Sequence, residues 1–412
     1  MGFLSAYRVV DFTNERGLLA GRMLADLGAD VIQVEPAEGS SARRVGPFSP
    51  DRQSLYWDAY AANKRGVVCD LDSLGGSELA LRLCAEADFV FESETPGLMA
   101  RRGLAYDDVR TVNPRVVYTS ITPFGGDGPK SMYADADIIL WAAGGPLAAH
   151  RDGDRPPLRI SVPQAYLHAA ADAAGGALVA HFARRKTGMG QHVDVSVSQS
   201  VTQATISRIL ATAVGDPQGS SLIAADPAEE ERGQRKLDQS GSGSGTAGTK
   251  WEVRDGYVAL HLAVGPAAGR FTNNLFAWVH EEGMCDERLA ALDWRRVPDL
   301  IATGELNPYE LERARGIVAK FMASRTKNQV MEASLNRKLL AAPLNTIADL
   351  VKSPQLKARN FWVELGESER RCVLPGPFAR LSADAFVYRR RAPRLGEHNA
   401  EVFGELRELH RT

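Results

Sequence analysis

The sequence predicts an α/β protein: a first domain with a parallel, helix-flanked sheet, then a second, smaller domain. Three observations carry that expectation: a βαβ opening, a continuing strand-and-helix rhythm, and a helix–turn–strand unit beyond residue 160. Arg8 to Phe12 is an apolar run of strand length, Gly17 to Leu27 spaces Leu19, Met23 and Leu27 as a helix face does, and Asp30 to Glu35 reads as a second strand. Strand-like Gly66 to Leu71, a helix from Ser77 to Ala87, and strands at Phe89 to Glu92 and Val116 to Ile121 continue the pattern. Strands separated by helices cross over in one sense, so they form a parallel sheet of Rossmann-like layout. The turn after the first strand, Thr13-Asn14-Glu15-Arg16-Gly17, lacks the GxGxxG that lets backbone approach a pyrophosphate, which disfavours a dinucleotide cofactor.

Tyr166 to Arg184 is Ala-rich with Gly175 and Gly176 in its middle, as suits a closely packed helix, and Arg184, Arg185 and Lys186 end it. Thr187-Gly188-Met189-Gly190-Gln191 makes a turn, and His192 to Val197 alternates apolar and polar residues like a half-buried strand. From Ala224 to Lys250 the composition turns charged and then Ser/Gly-rich, which predicts a flexible crossing segment. Trp251 opens a new ordered region with a strand at Tyr257 to Leu262 and helices at Ala267 to Glu282 and Pro308 to Ser324. Gln329 to Leu340 reads as a further helix. The Pro-punctuated tail after Pro343 has no core of its own and is expected to pack back onto the first domain.

Composition narrows the function classes. Of 412 residues 44% are hydrophobic, ample for large cores. The 49 Lys and Arg against 51 Asp and Glu leave a net charge of −2, with no global field to recruit nucleic acid or an acidic membrane. The longest stretch without a charged residue is the fourteen residues from Gly256 to Gly269, short of the roughly 20 that span a bilayer. Arg8 and Asp11 interrupt the apolar run a secretory signal would need, and four cysteines without a CxxC pair fit a reducing cytoplasm. No HExxH, GxSxG or Walker loop occurs, and no metal site is expected.

The residues that remain have bland readings beside the chemical ones. Asn63-Lys64-Arg65 and Arg101-Arg102 offer cations to a phosphate-bearing ligand, though in isolation a solvated surface is the better account of them. Asp135 and Asp137 near a helix start read first as caps or a solvated edge. His168 is a candidate proton carrier on a segment where a structural histidine is the commoner finding. Ser240 to Gly248 has the composition of a lid or simply of a linker.

Taken together, Arg8-Val9-Val10-Asp11-Phe12-Thr13, Leu24 to Ile32 with Glu35, Asn63-Lys64-Arg65, Asn113-Pro114-Arg115-Val116, Phe124-Gly125 with Gly128-Pro129, the TGMGQ turn with Asp194-Val195-Ser196, Pro354-Gln355-Leu356 and Leu395-Gly396-Glu397-His398 run along nearly the whole chain. In that order the chain resembles the class III coenzyme A transferases, a family that includes formyl-CoA transferase, carnitine CoA-transferase and the α-methylacyl-CoA racemases. The resemblance implies a large Rossmann-like domain built from both chain ends, a smaller inserted domain, and two chains interlocked as rings. It divides this chain into 1–223 (large domain, first part), 224–250 (linker with a Gly-rich loop that closes over the acyl intermediate), 251–325 (small domain) and 326–412 (return segment). It also implies a CoA thioester as substrate with no permanently bound cofactor, and a CoA site drawn from Asn14, Arg16, Lys64, Arg101 and Arg102. Asp72, where relatives often carry Lys, points to one lost phosphate contact.

The resemblance also exposes a departure. Transferases of this family use an Asp carboxylate as nucleophile and acyl carrier, and the offset they keep from the TGxGQ turn lands here on Tyr166, preceded by Gln164. No Asp or Glu lies between Pro156 and Ala171, and Asp172 comes six positions late. A phenol with a reference pKa of about 10 is mostly protonated at neutral pH and does not replace that carboxylate. The racemase branch needs a second acid/base group, a His that falls on Ala136, leaving only Asp137 or His168 to take over. Two transferase readings follow. In one the chain is a subunit paired with an Asp-bearing paralogue, as in benzylsuccinate-type CoA-transferases, and alone transfers CoA poorly. In the other it works by itself, with Tyr166, Gln164 or His168 positioning substrate while a carboxylate from elsewhere attacks. A catalytically silent CoA-thioester-binding homodimer is the reading from a different class.

Overall fold

Strands β1 (Arg8–Asp11), β2 (Asp30–Glu35), β3 (Arg65–Val68), β4 (Phe89–Glu92), β5 (Val117–Thr122) and β6 (Gln191–Ser196) pair in the order β3-β2-β1-β4-β5-β6. Every neighbouring pair is parallel, which is the doubly wound strand order. This computed structural model describes residues 2–149, 156–159, 162–206, 209–210, 249–366, 371–383 and 386–409. The predicted parallel sheet is therefore present, with β2 and β4 at their expected bounds and the other strand ends shifted by at most three residues.

The sheet separates two apolar layers because side chains alternate along each strand. Val9, Val31, Phe89, Phe91, Val117 and Ile121 face one layer, packed on α1 (Leu18–Asp26) and α7 (Ala165–Thr187). Val10, Ile32, Val34, Val90, Val116 and Tyr118 face the other, with Leu83 of α3 (Leu74–Ala85), Met99 of α4 (Leu98–Arg101) and Val109 of α5 (Tyr106–Val112). Val402 and Leu406 from the last helix, Asn399–Leu409, complete that second layer. α2 (Leu55–Tyr60) and α6 (Asp137–Gly144) lie in connections after β2 and β5, and α8 (Val197–Thr202) follows β6 without a break.

α7 packs through a row of alanines, Ala169, Ala170, Ala173, Ala174, Ala177 and Ala180. Its turn into β6 depends on glycine twice. Gly188 caps the helix with φ +76°, and a Cβ on Gly190 would stand 1.9 Å from the Val116 carbonyl oxygen.

By contact the chain divides into one unit of Met1–His150, Pro157–Asp216 and Lys357–Thr412, and another of Arg151–Pro156 and Pro217–Leu356. In the second, β7 (Lys250–Val253), β8 (Gly256–Leu260) and β9 (Ala341–Leu344) form an antiparallel sheet. Its core stacks Phe276 on Trp294, with ring centroids 4.9 Å apart. The helix Lys327–Arg337 and β9 belong to this unit, so residues 326–356, expected in the return segment, are a correction: Val330 and Ala333 bury into the core around Trp251, and β9 pairs with β8. Most of the expected linker, including Ser240 to Gly248, lies outside the described residues. Among the described residues no helix is long and apolar enough to cross a membrane.

Candidate active site

In open parallel sheets, ligands bind beyond the carboxyl ends of the strands where the winding reverses. Here that point lies between β1 and β4, and the loops leaving them are tied together. Asp11, at the end of β1, accepts at Oδ1 from the Thr13 N–H and hydroxyl at 2.9 and 2.6 Å, which turns the chain sharply. Asn14 then donates its N–H to Ser93 Oγ at 3.1 Å, while its own Oδ1 accepts from Ser93 at 3.2 Å and from the Arg16 N–H at 3.1 Å.

That turn aims Arg16 at Asp135, in the loop before α6. The guanidinium donates to Asp135 Oδ1 at 2.7 Å, and the Tyr166 hydroxyl donates to Oδ2 of the same carboxylate. The Arg16 guanidinium carbon also lies 6.0 Å from the Tyr166 ring centre. Burial, then the hydrogen bond to Asp135, push the Tyr166 pKa up, so the phenol is a proton-bearing donor at neutral pH. Asp135 is thus neither a cap nor a solvated edge; its side chain is 11% exposed and paired on both oxygens.

Asp137 has the structural role expected of it. Its Oδ1 accepts from the Gln164 and Ala165 N–H groups at 2.8 and 2.9 Å, capping the start of α7, and Arg159 stands 3.8 Å from its Oδ2. Gln164 therefore enters the arrangement through its backbone. His168 is exposed one turn further along α7, edge-on to Trp141 at 5.7 Å. It lines a cleft of about 240 Å³ with Trp141, Asp172 and Ser200. Tyr166 and Arg16 come together; His168 has its ring contact elsewhere.

The expected CoA contacts divide sharply. Lys64 is a correction: it is 0% exposed, and its ammonium donates to Asp11 Oδ2 at 2.7 Å, Leu18 O at 2.9 Å and Gln33 Oε1 at 2.9 Å. All three N–H bonds have partners inside the fold, so it ties β1 to α1 and β2 instead of meeting a ligand. Arg102 forks onto Asp72 at 2.7 and 3.1 Å and lies 3.5 Å from Glu94. Arg101 is exposed at the end of α4 with no carboxylate partner among the described residues. Sequence reasoning missed Ser93, the hydroxyl that locks the Asn14 turn. It also missed Glu92, whose buried carboxyl has its pKa raised to about 7 by desolvation. Among the described residues no cluster of His, Cys, Asp and Glu could hold a metal ion.

A family model for CoA-transferase family III matches residues 4–399. The chain belongs to this family. Among family III members, the succinyl-CoA:(R)-benzylsuccinate CoA-transferase subunit BbsE of Thauera aromatica is 34% identical over 411 residues, covering 97% of this chain and 93% of that protein. The formyl-CoA:oxalate CoA-transferase of Streptomyces avermitilis is 28% identical over 415 residues, covering 98% and 95%. A CAIB/BAIF family protein from Brucella suis has a similar solved structure, with a TM-score of 0.80 at 25% identity over 98% of this chain and 99% of that one. CoA-transferases of family III take CoA thioesters as substrates, and this chain is an enzyme of that class.

Proposed function

We propose that this chain moves CoA between an acyl-CoA thioester and a free carboxylic acid, with a site rearranged around Tyr166. The observation that carries the reading is the Arg16–Asp135–Tyr166 cluster, in which the Tyr166 phenol, at the position that the family resemblance assigns to the nucleophile, hydrogen-bonds a carboxylate from another loop. Exposed Arg101 is the cation available to the CoA nucleotide, with Asn14 and Arg16 shaping the nearer part of the site. A cytoplasmic location is part of this reading, supported by four cysteines that are all free thiols.

A second reading is favoured by the 34% identity to a chain named as a subunit. In it, the chain pairs with a paralogue carrying Asp at the position of Tyr166, and the paralogue performs the covalent chemistry. Either reading includes an interlocked homodimer or heteromer. Val179 and Phe182 on α7 support a partner surface, being 71% and 61% exposed although large and apolar.

The test is turnover by the purified full chain with succinyl-CoA and a panel of free carboxylic acids, following new CoA thioesters by chromatography. Transfer by the chain alone supports the rearranged site. Transfer only after the paralogous chain is added overturns it in favour of the heteromer, and transfer in neither case leaves the silent CoA-binding homodimer.

A further inference from the structure

We propose that Asp135 is the nucleophile and acyl carrier of this chain, replacing the carboxylate absent at position 166. The inference rests on the CoA-transfer reading above and names the group that performs it.

Class III chemistry needs a carboxylate near the first turn of α7, because the group must both attack a thioester and then hold CoA itself. Among the described residues, three other carboxylates, Asp137, Asp172 and Glu15, lack a pair of side-chain hydrogen-bond donors. Asp137 is held by two backbone N–H groups as the cap of α7. Asp172 lies on the cleft shared with His168 and Trp141, and Glu15 accepts from the Ser41 hydroxyl. Asp135 differs in that both its oxygens meet side-chain donors able to follow a reaction. The Tyr166 hydroxyl on Oδ2 brings the carboxylate within one hydrogen bond of the family's nucleophile position. Arg16 on Oδ1 fixes its plane at 2.7 Å. The same donors suit the transition state: as the Asp135 carboxyl carbon becomes tetrahedral, negative charge grows on an oxygen that Arg16 or Tyr166 already faces.

The steps balance without any other reactant. An Asp135 oxygen attacks the donor thioester carbonyl, forming a mixed anhydride and releasing CoA thiolate. The thiolate attacks the Asp135 carbonyl of that anhydride, giving an aspartyl-CoA thioester and the free donor carboxylate. The acceptor carboxylate attacks the aspartyl thioester, forming a second anhydride and again releasing thiolate. The thiolate then attacks the acceptor carbonyl, which yields the new acyl-CoA and restores the Asp135 carboxylate. No net proton is taken up, consistent with a site whose phenol keeps its proton and only donates a hydrogen bond.

The experiment is borohydride trapping of the full-length chain incubated with succinyl-CoA, followed by peptide mapping. Reduction converts an aspartyl-CoA thioester to homoserine. Homoserine at position 135, absent in Asp135→Asn, supports the proposal, and Asp135→Asn should keep its fold and lower turnover to below about one-thousandth. A Tyr166→Asp variant controls for donor and pocket. Trapping at 166 in that variant without trapping at 135 in the natural chain overturns Asp135 while leaving the CoA-transfer reading intact. Trapping in neither chain overturns both. Homoserine at any other carboxylate of the natural chain overturns Asp135 alone.

Discussion

Replacing Lys64 with Met separates a structural lysine from a ligand-binding one. The ammonium sits 2.7 Å from Asp11 Oδ2, with both side chains 0% exposed. At that distance and an effective dielectric constant of about 20, the attraction is about 6 kcal/mol before the cost of desolvating both ions. Burial lowers the lysine pKa and the neighbouring Asp11 raises it, so the two effects oppose and the net value of the pair is small. Removing one partner is different, because Asp11 then stays buried with an uncompensated charge. The expected loss is about 3–5 kcal/mol, a fall in Tm of about 6–20 °C for a domain of this size. The assay is thermal and urea unfolding followed by circular dichroism, with calorimetric titration of CoA on the folded fraction. The double variant Asp11→Asn, Lys64→Met removes both charges and should recover a good part of the loss. A single variant that melts within about 1 kcal/mol of the natural chain yet loses CoA affinity would refute the buried-strut account and return Lys64 to the ligand.

Further expectations follow from the same interior. Gly21→Ala, ordinarily worth about 1 kcal/mol of stabilisation inside a helix, should instead destabilise by about 1–3 kcal/mol, because the new Cβ would stand 2.0 Å from Asp11 Oδ2; a stabilised variant in urea unfolding would contradict this. Glu92, 6% exposed, has its pKa raised to about 7 by desolvation, with Glu94 and Asp194 adding to the shift and Ser120 opposing it. Its folded-state pKa exceeds the unfolded value, so the fold favours the protonated form and the group's penalty grows as pH rises through that window. Glu92→Gln should therefore gain about 2–3 kcal/mol over the natural chain at pH 8 and little at pH 5; equal gains at both pH values would refute it. Asp72→Asn frees the Arg102 guanidinium from its fork, so CoA affinity should rise several-fold at low salt and the gain should vanish in high salt. Unchanged affinity at low salt would place Arg102 outside the nucleotide site.

The sheet was legible because strand and helix periods differ: Val9 and Val10 point to opposite layers, and that alternation is written in the sequence as a short apolar run of strand length. The short helices α4 and α5 escaped the sequence reading, and of α6 only a helix start near Asp137 was read. Each has at most eight residues, and α4 and α5 bury only Met99 and Val109, too little for a periodic signal. The burial of Lys64 was equally hidden. A lysine beside Asn63 and Arg65 looks like surface until β1 and β2 bring Asp11 and Gln33 to it, partners 53 and 31 residues away. Asp135 was weighed as a cap because caps are local, whereas its partners Arg16 and Tyr166 lie 119 and 31 residues off. Tyr166 could be singled out by its spacing from the TGMGQ turn, but what stands beside it could not.

A tyrosine at the start of α7 has a geometric consequence. A phenol reaches further from the backbone than a carboxyl, so its polar end leaves the helix and meets the loop before α6, where Asp135 accepts it. The start of the helix is held independently by Asp137 through the Gln164 and Ala165 N–H groups. The two aspartates two residues apart thus divide the work: one holds the helix end that sets the position of Tyr166, and the other presents a carboxylate to the Tyr166 hydroxyl and to Arg16. Arg16, held in place by the Asn14–Ser93 lock across β1 and β4, keeps that carboxylate at the point where the sheet's winding reverses. Loss of the lock should therefore reach the chemistry through Asn14 and the Arg16 that it positions. Ser93→Ala is expected to lower kcat while leaving the Tyr166–Asp135 bond and the Tm nearly unchanged, and an unaltered kcat in a folded Ser93→Ala chain would break this chain of argument at its first link.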